Sequence, residues 1–209
     1  MLVKICGIST KEAAEAVLAS GADFIGFVFA ESKRRISPEA ASDIVRLVPS
    51  SVKKVGVFVN ETVDNMIAIA ELVGLDYIQL HGEEPAEVAK SLPYKVIKAF
   101  SITKENVSSI KSYPCDYYLL DSPKAEYHGG NGITFDWRMI EQLSIPTQKI
   151  LLAGGLNADN ITEAIRLAHP AGVDVSSGVE TNGIKDNKKS SNLLQLQKVI
   201  KLRLSQAFR

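Results

Sequence analysis

The sequence predicts an α/β protein, a β/α barrel of eight parallel strands built as a single domain over residues 1–209. Two observations carry this reading. Short β-branched or aromatic runs alternate with helically spaced stretches from one end of the chain to the other, with no linker-like segment between them. Polar and glycine residues also crowd the C-terminal ends of those runs. Strands separated by helices run parallel, because each crossover returns the chain to the same edge, and eight such units in 209 residues suit a small barrel. A doubly wound open sheet is the competing architecture. It normally carries a G-x-G-x-x-G turn after its first strand, whereas here that strand runs into Cys6-Gly7-Ile8-Ser9.

Taken in order, the first strand is expected at Val3–Cys6 and the first helix at Lys11–Ala19, with Gly21 set for a left-handed C-cap. Phe24–Phe29 is the second strand. The helix expected over Pro38–Val48 is opened by Ser37-Pro38, an N-cap followed by proline at the first helical position. Strands at Lys54–Val59 and Tyr77–Leu80 flank a helix over Val63–Val73 that Gly74 can close. A helix over Pro85–Leu92 leads to a strand at Lys95–Ala99, and a helix over Lys104–Lys111 to a strand at Tyr117–Leu120. The last units pair a helix over Asp136–Leu143 with Ile150–Leu152, and a helix over Ala158–Ala168, capped by Asn157, with Val173–Val175. A terminal helix is expected over Ser190–Leu204.

Composition narrows the function classes. With 24 Lys or Arg against 24 Asp or Glu, 45% hydrophobic and 23% charged residues, the chain reads as an ordinary globule with a sizeable core. Zero net charge and no basic stripe argue against nucleic acid or an anionic membrane as partner. The opening Met1-Leu2-Val3-Lys4 shows no secretory pattern, so a cytoplasmic location is expected. The longest apolar run, residues 24–30, falls far short of the ~20 needed to span a bilayer. Cys6 and Cys115 show no C-x-x-C spacing, and His128 and His169 lack partners at metal-ligand spacing, so neither a disulfide framework nor a metal is expected.

In a β/α barrel the loops after the strand ends share one face, which turns the strand ends into a list of candidate site residues. Gly154-Gly155 and Ser176-Ser177-Gly178 follow the seventh and eighth strands, where barrels bind phosphate through backbone N–H groups. A helix beginning near Val179 would add its dipole. The bland alternative is that these glycines only end strands. Cys6, near Lys4, is a base or nucleophile if its pKa is lowered from ~8.5, or else an inert buried thiol. Asp121 closes the run Tyr117-Tyr118-Leu119-Leu120 at the mouth, where partial desolvation favours a general acid; an N-cap or a loop ion pair is its ordinary role. Arg34, with Lys33 and Arg35, can clamp a carboxylate or phosphate bidentately, or belong to a solvated cluster. Gln79 and His81 alternate on the fourth strand and can both face the mouth, and Asp174 stands on the eighth.

Together the segments KICGIS (4–9), GADFIGFVF (21–29), SKRRIS (32–37), VGVFVN (55–60), IQLHGEE (78–84), LLDS (119–122), GGNGITFDW (129–137), LLAGGLN (151–157) and VDVSSGVE (173–180), followed by Gly183 and Lys185-Asp186, resemble one family, the phosphoribosylanthranilate isomerases of tryptophan biosynthesis. The resemblance implies a cofactor-free Amadori rearrangement of a small phosphorylated substrate; a neutral barrel of this size suits a monomer or a homodimer. It carries the general base over to Cys6 and the general acid to Asp121. It also carries anthranilate orientation to Arg34 and phosphate binding to Gly154, Gly155, Ser177 and Gly178. Gln79, His81 and Asp174 are substrate-facing candidates whose roles it leaves open. The aminoaldose isomerase of histidine biosynthesis, which uses two aspartates, is the nearest rival within enzymes, and Cys6 argues against it. A catalytically silent phosphate-binding barrel is the rival from another class.

Overall fold

The computed structural model describes residues 1–102, 110–121, 137–181, 184–186, 188–190 and 192. Eight parallel strands close into a barrel in sequence order. They are β1 (Leu2–Cys6), β2 (Phe24–Val28), β3 (Lys53–Phe58), β4 (Tyr77–Leu80), β5 (Lys95–Ser101), β6 (Tyr117–Asp121), β7 (Ile150–Leu152) and β8 (Gly172–Val175). The helices α1 (Lys11–Ser20), α2 (Pro38–Val45), α3 (Val63–Val73), α4 (Ala86–Ser91) and α5 (Ile161–Ala168) lie between them. A two-residue hairpin, β9 (Glu180–Thr181) with β10 (Ile184–Lys185), follows β8. No helix among the described residues is long and apolar enough to cross a membrane.

The expected strands all form, and most helix punctuation acts as expected. Ser37 Oγ accepts from the Ala40 N–H, and Gly21 and Gly74 sit at left-handed C-caps with φ of 91° and 75°. Several boundaries differ. Helix α2 stops at Val45 rather than Val48, because Pro49 disfavours the α conformation at Val48, and the chain tightens into i→i+3 bonds from Leu47 to Ile44 and Val48 to Val45. Helix α4 opens at Ala86, with Pro85 in the cap position. Helix α5 starts at Ile161, because Asn157 Oδ1 accepts from Asp159 and Asn160 and so caps the turn before the helix. Trp137–Leu143 is a 3-10 segment; seven residues offer few i→i+4 bonds, and Ser144 ends it at φ 52°. The helices expected over Lys104–Lys111 and Ser190–Leu204 fall largely outside the described residues, as do His128 and Gly129–Gly132.

Two cores hold the barrel. The outer one packs the strands' outward side chains against the helices, for example Ile5, Ile25, Ile78 and Leu152 against Val17, Ile44, Met66 and Ile165. The inner one fills the N-terminal half of the barrel with Phe24, Val55, Tyr77, Ile97, Leu119 and Leu151. Its centre is three aromatic rings from alternate strands: Phe24 lies edge-on to Tyr77 at 5.5 Å and to Tyr117 at 6.2 Å.

Below this plug one device occurs three times. Asp23, Asp76 and Asp116 each precede a strand that begins with an aromatic residue. Each accepts, at 2.8 Å, the backbone N–H of Val3, Lys54 or Val96 on the preceding strand. Each also donates its own N–H to that residue's carbonyl. β2, β4 and β6 are thereby tied to their predecessors at the end opposite the candidate site.

Near the other end, Lys98 and Glu84 form a buried ion pair of 2.8 Å. Burial alone would raise the Glu84 carboxyl, but Lys98 and the backbone N–H groups that bond it hold it below the ordinary range. Lys98→Met therefore strands a buried carboxylate, and a loss of about 3–5 kcal/mol is expected in urea unfolding at neutral pH. Because the folded-state pKa of Glu84 is depressed, its stabilisation is complete above the unfolded value and fades as pH falls through the folded one. The gap between wild type and variant should narrow on acidification; a gap independent of pH would argue that the pair is not its source.

Candidate active site

The period of two along a strand builds the site from the same face that builds the inner core. On β4, Tyr77 belongs to the plug and Gln79 and His81 follow it upward; on β6, Tyr117 and Leu119 lead to Asp121; on β1, Leu2 leads to Lys4 and Cys6. The result is a cavity of about 400 Å³ at the C-terminal mouth. It is lined by Cys6, Arg34, Gln79, His81, Asp121, Gly154, Gly155, Asp174 and Ser177, with Val28 and Val57 among its apolar walls. All the predicted site residues except Gly178 thus border one space, and Gly178 lies directly behind its wall.

Its floor is charged and buried. Lys4 is fully buried and donates to Asp174 Oδ2 at 2.9 Å, while Asp174 Oδ1 is buried without a hydrogen-bond partner. Burial would lower the Lys4 pKa, but Asp174 and Cys6 beside it hold it raised. The Cys6 thiol differs from expectation: burial pushes it up and Asp174 adds to this, with Lys4 pulling the other way, so the net shift is upward. Sequence proximity to Lys4 suggested the opposite, because burial and the charge on β8 are invisible at two residues' range.

Arg34 is held by a side chain that the strand-end rule did not single out. Its Nε and Nη2 both donate to Glu180, at 2.7 Å each, a bidentate grip. The stem of Arg34 lies across Gly7, where a Cβ would collide with it. Lys185 donates to the same Glu180 at 2.6 Å and to the Ser176 carbonyl at 3.0 Å, while Ser176 Oγ donates to the Cys6 carbonyl. Burial would raise the Glu180 carboxyl, and its two cations overcome this and hold it low. The segments VDVSSGVE and Lys185-Asp186 contained both residues, but only the fold brings them to Arg34.

Across the mouth, Gln79 Nε2 and His81 Nδ1 are 2.8 Å apart. With the amide as donor, His81 carries its proton on Nε2, which faces Asp121 Oδ2 at 3.7 Å. Both side chains are about a third exposed, at 31% and 33%. Lys98, which also donates to the Gly82 carbonyl at 2.6 Å, and Glu84, which accepts from Gly82 and Asn60, brace the turn that carries His81.

Gly154 and Gly155 both adopt left-handed φ, 81° and 64°, which turns the backbone at the end of β7. A Cβ on Gly178 would land on the Leu156 carbonyl, so glycine alone lets the loops after β7 and β8 touch. No α-helix starts at Val179: Ser177–Val179 is a single 3-10 turn leading into the β9–β10 hairpin, whose Glu180 is engaged by Arg34.

Comparison with known proteins agrees with this architecture. The family model for N-(5′-phosphoribosyl)anthranilate isomerase matches residues 3–196. The N-(5′-phosphoribosyl)anthranilate isomerase of Oceanobacillus iheyensis is 50% identical over 190 residues, covering 90% of this chain and 93% of that one. The crystal structure of the phosphoribosylanthranilate isomerase of Thermus thermophilus superposes with a TM-score of 0.85 at 35% identity, covering 96% of this chain and all of that one. A phosphoribosylanthranilate isomerase solved in complex with reduced 1-(o-carboxyphenylamino)-1-deoxyribulose 5-phosphate has a TM-score of 0.81 at 37% identity, covering 95% and 98% of the two chains. With the closed barrel and its C-terminal mouth, these matches establish that the chain belongs to the N-(5′-phosphoribosyl)anthranilate isomerase family.

Proposed function

We propose that this protein isomerises N-(5′-phosphoribosyl)anthranilate to 1-(2-carboxyphenylamino)-1-deoxyribulose 5-phosphate in tryptophan biosynthesis, with Asp121 as general acid and Cys6 as general base. The observation that carries the reading is the lining of one cavity by a carboxyl, a thiol, a guanidinium and two glycine-turned backbones. Its volume is that of a small-molecule site.

Asp121 protonates the ribose ring oxygen. The C1′–O bond breaks while the anthranilate nitrogen lone pair forms the iminium. That cation acidifies C2′–H, and the Cys6 thiolate takes the proton as the C–H electrons form the C1′=C2′ bond and neutralise nitrogen. The enaminol loses its hydroxyl proton and gains one at C1′, so no atom is gained or lost overall. The two groups stand on β6 and β1, separated by two strands of the closed barrel, which suits proton transfers at different ends of the sugar.

Arg34 orients the anthranilate carboxylate. Glu180 occupies its Nε and one side of Nη2, leaving Nη1 as the end of the guanidinium to meet substrate. The backbones of Gly154, Gly155, Ser177 and Gly178 grip the phosphate, turning remote binding energy into orientation. Gln79 and His81 contact the substrate beside Asp121, and Asp174 does so from the floor. A cytoplasmic location, and a monomer or homodimer, accompany this reading.

Loss of anthranilate-type fluorescence on freshly generated N-(5′-phosphoribosyl)anthranilate tests it directly. Rapid decay is expected with wild type, and no decay with folded protein would refute the activity. Cys6→Ala and Asp121→Asn should each lower kcat at least about 10²-fold with thermal stability retained; wild-type kcat in either removes that residue from the mechanism. Arg34→Ala should act mainly on KM, so a change confined to kcat would reassign it. Gly178→Ala, by pushing the two phosphate loops apart, should cost about 10²-fold in kcat/KM, the scale of a misplacement of roughly 1 Å.

A further inference from the structure

One buried ionic group of the site has no part in the chemistry set out above. Lys4 lies two residues before Cys6 on β1, so both side chains point into the barrel. On one side its ammonium is bonded to Asp174, its register partner across the β1–β8 pairing. On the other it meets the sulfur above Gly26 of β2, where an added Cβ would lie 2.9 Å from Cys6 Sγ and 3.3 Å from Lys4 Nζ. The bare Gly26 backbone is what leaves room for both head groups. Apolar Val28 and Val57 pack against the rest of Cys6, so little solvent screens the pair.

The charges around the sulfur are unbalanced while it is a thiol. Lys4 and Lys185 act on Cys6 as cations, and Arg34 does so from the loop after β2. Asp174 opposes them from β8, and Glu180 of the hairpin bonds both Arg34 and Lys185. Among the described residues three cations thus meet two carboxylates, and a thiolate at Cys6 supplies the third anion. We propose that Lys4 is a positioning residue for the isomerisation: its buried ammonium is the counter-ion that holds Cys6 as the thiolate that removes the C2′ proton, and Asp174 sets how much of that charge the sulfur feels. This rests on the reading of Cys6 as the base. Burial drives the thiol toward its neutral form, so the thiolate exists only to the extent that the cations around it, Lys4 foremost, oppose burial.

Alkylation of Cys6 by iodoacetamide across a range of pH measures the thiolate without turnover, and peptide mass mapping reads Cys6 apart from Cys115. In folded Lys4→Met the alkylation midpoint should rise by about one pH unit or more, and in Asp174→Asn it should fall. Opposite shifts from the two halves of one ion pair are the signature of charge, since loosened packing would move both the same way. Turnover gives a second readout. At pH 7, kcat/KM of Lys4→Met should drop about tenfold or more and recover as pH is raised through the new midpoint, whereas a structural defect would lower it at every pH. An unmoved midpoint in folded Lys4→Met, or an upward one in Asp174→Asn, overturns the proposal. Should Lys4→Met fail to fold, the direction in Asp174→Asn decides alone. Wild-type turnover by Cys6→Ala would instead refute Cys6 as the base, and with it Lys4's part in the reaction, while the midpoints would still report the ion pairing.

Discussion

Everything in the molecule depends on closing the sheet between β8 and β1. The first and last strands of the barrel meet there in one register, with Lys4 opposite Asp174. A slip of one residue would turn Lys4 out of the barrel interior and take its carboxylate away. The ammonium is fully buried, and a buried charge without its partner costs several kcal/mol. The pair therefore penalises wrong closures more than it stabilises the right one. The closure in turn leaves no open sheet edge in the barrel and brings the loops after β1, β7 and β8 to one side of the mouth.

The two ends of the barrel solve different problems with similar residue types. At the N-terminal end, Asp23, Asp76 and Asp116 spend their carboxylates on backbone N–H groups, and the aromatic residues after them plug the interior. At the C-terminal end the interior side chains shrink or become polar, Gly26, Val28, Ala153 and Asp121 among them, and space opens above the plug. The same inward face of the barrel thus fills the core at the strands' start and lines the candidate site at their finish.

Around the mouth the polar groups are linked rather than scattered. Arg34 is bound to Glu180, Glu180 to Lys185, Lys185 to the Ser176 carbonyl, and Ser176 through its hydroxyl to the Cys6 carbonyl. The guanidinium and the Cys6 backbone are thereby fastened to one hairpin, so a movement of β9–β10 would disturb both. On the opposite wall Lys98 and Glu84 brace the turn carrying His81, which lies beside Asp121. Groups held this way lose little freedom when a ligand arrives, which is how a site on loops can act as a rigid one.

The eight strands and their parallel order were legible in the sequence, because β-branched runs and helical spacing are local patterns. So were the positions of Cys6, Asp121, Gly154 and Gly155, since the end of a strand in this architecture is the site. The Asp-aromatic pairs at 23–24, 76–77 and 116–117 stood in plain view, yet a search for apolar periodicity passes over them. Helix α2 ended early because a single proline outweighed the amphipathic pattern through Val48. What the sequence by itself determined was therefore whatever depends on neighbours a few positions apart: strands, caps, turns and the roster of residues at the mouth. Only the tertiary structure decided that Glu180 holds Arg34 across 146 positions, that Asp174 holds Lys4 across 170, and that the Cys6 thiol is pushed up rather than down. The reason is physical: desolvation and Coulomb interaction act over a few ångströms of space, and a closed barrel makes neighbours of residues that the chain keeps far apart.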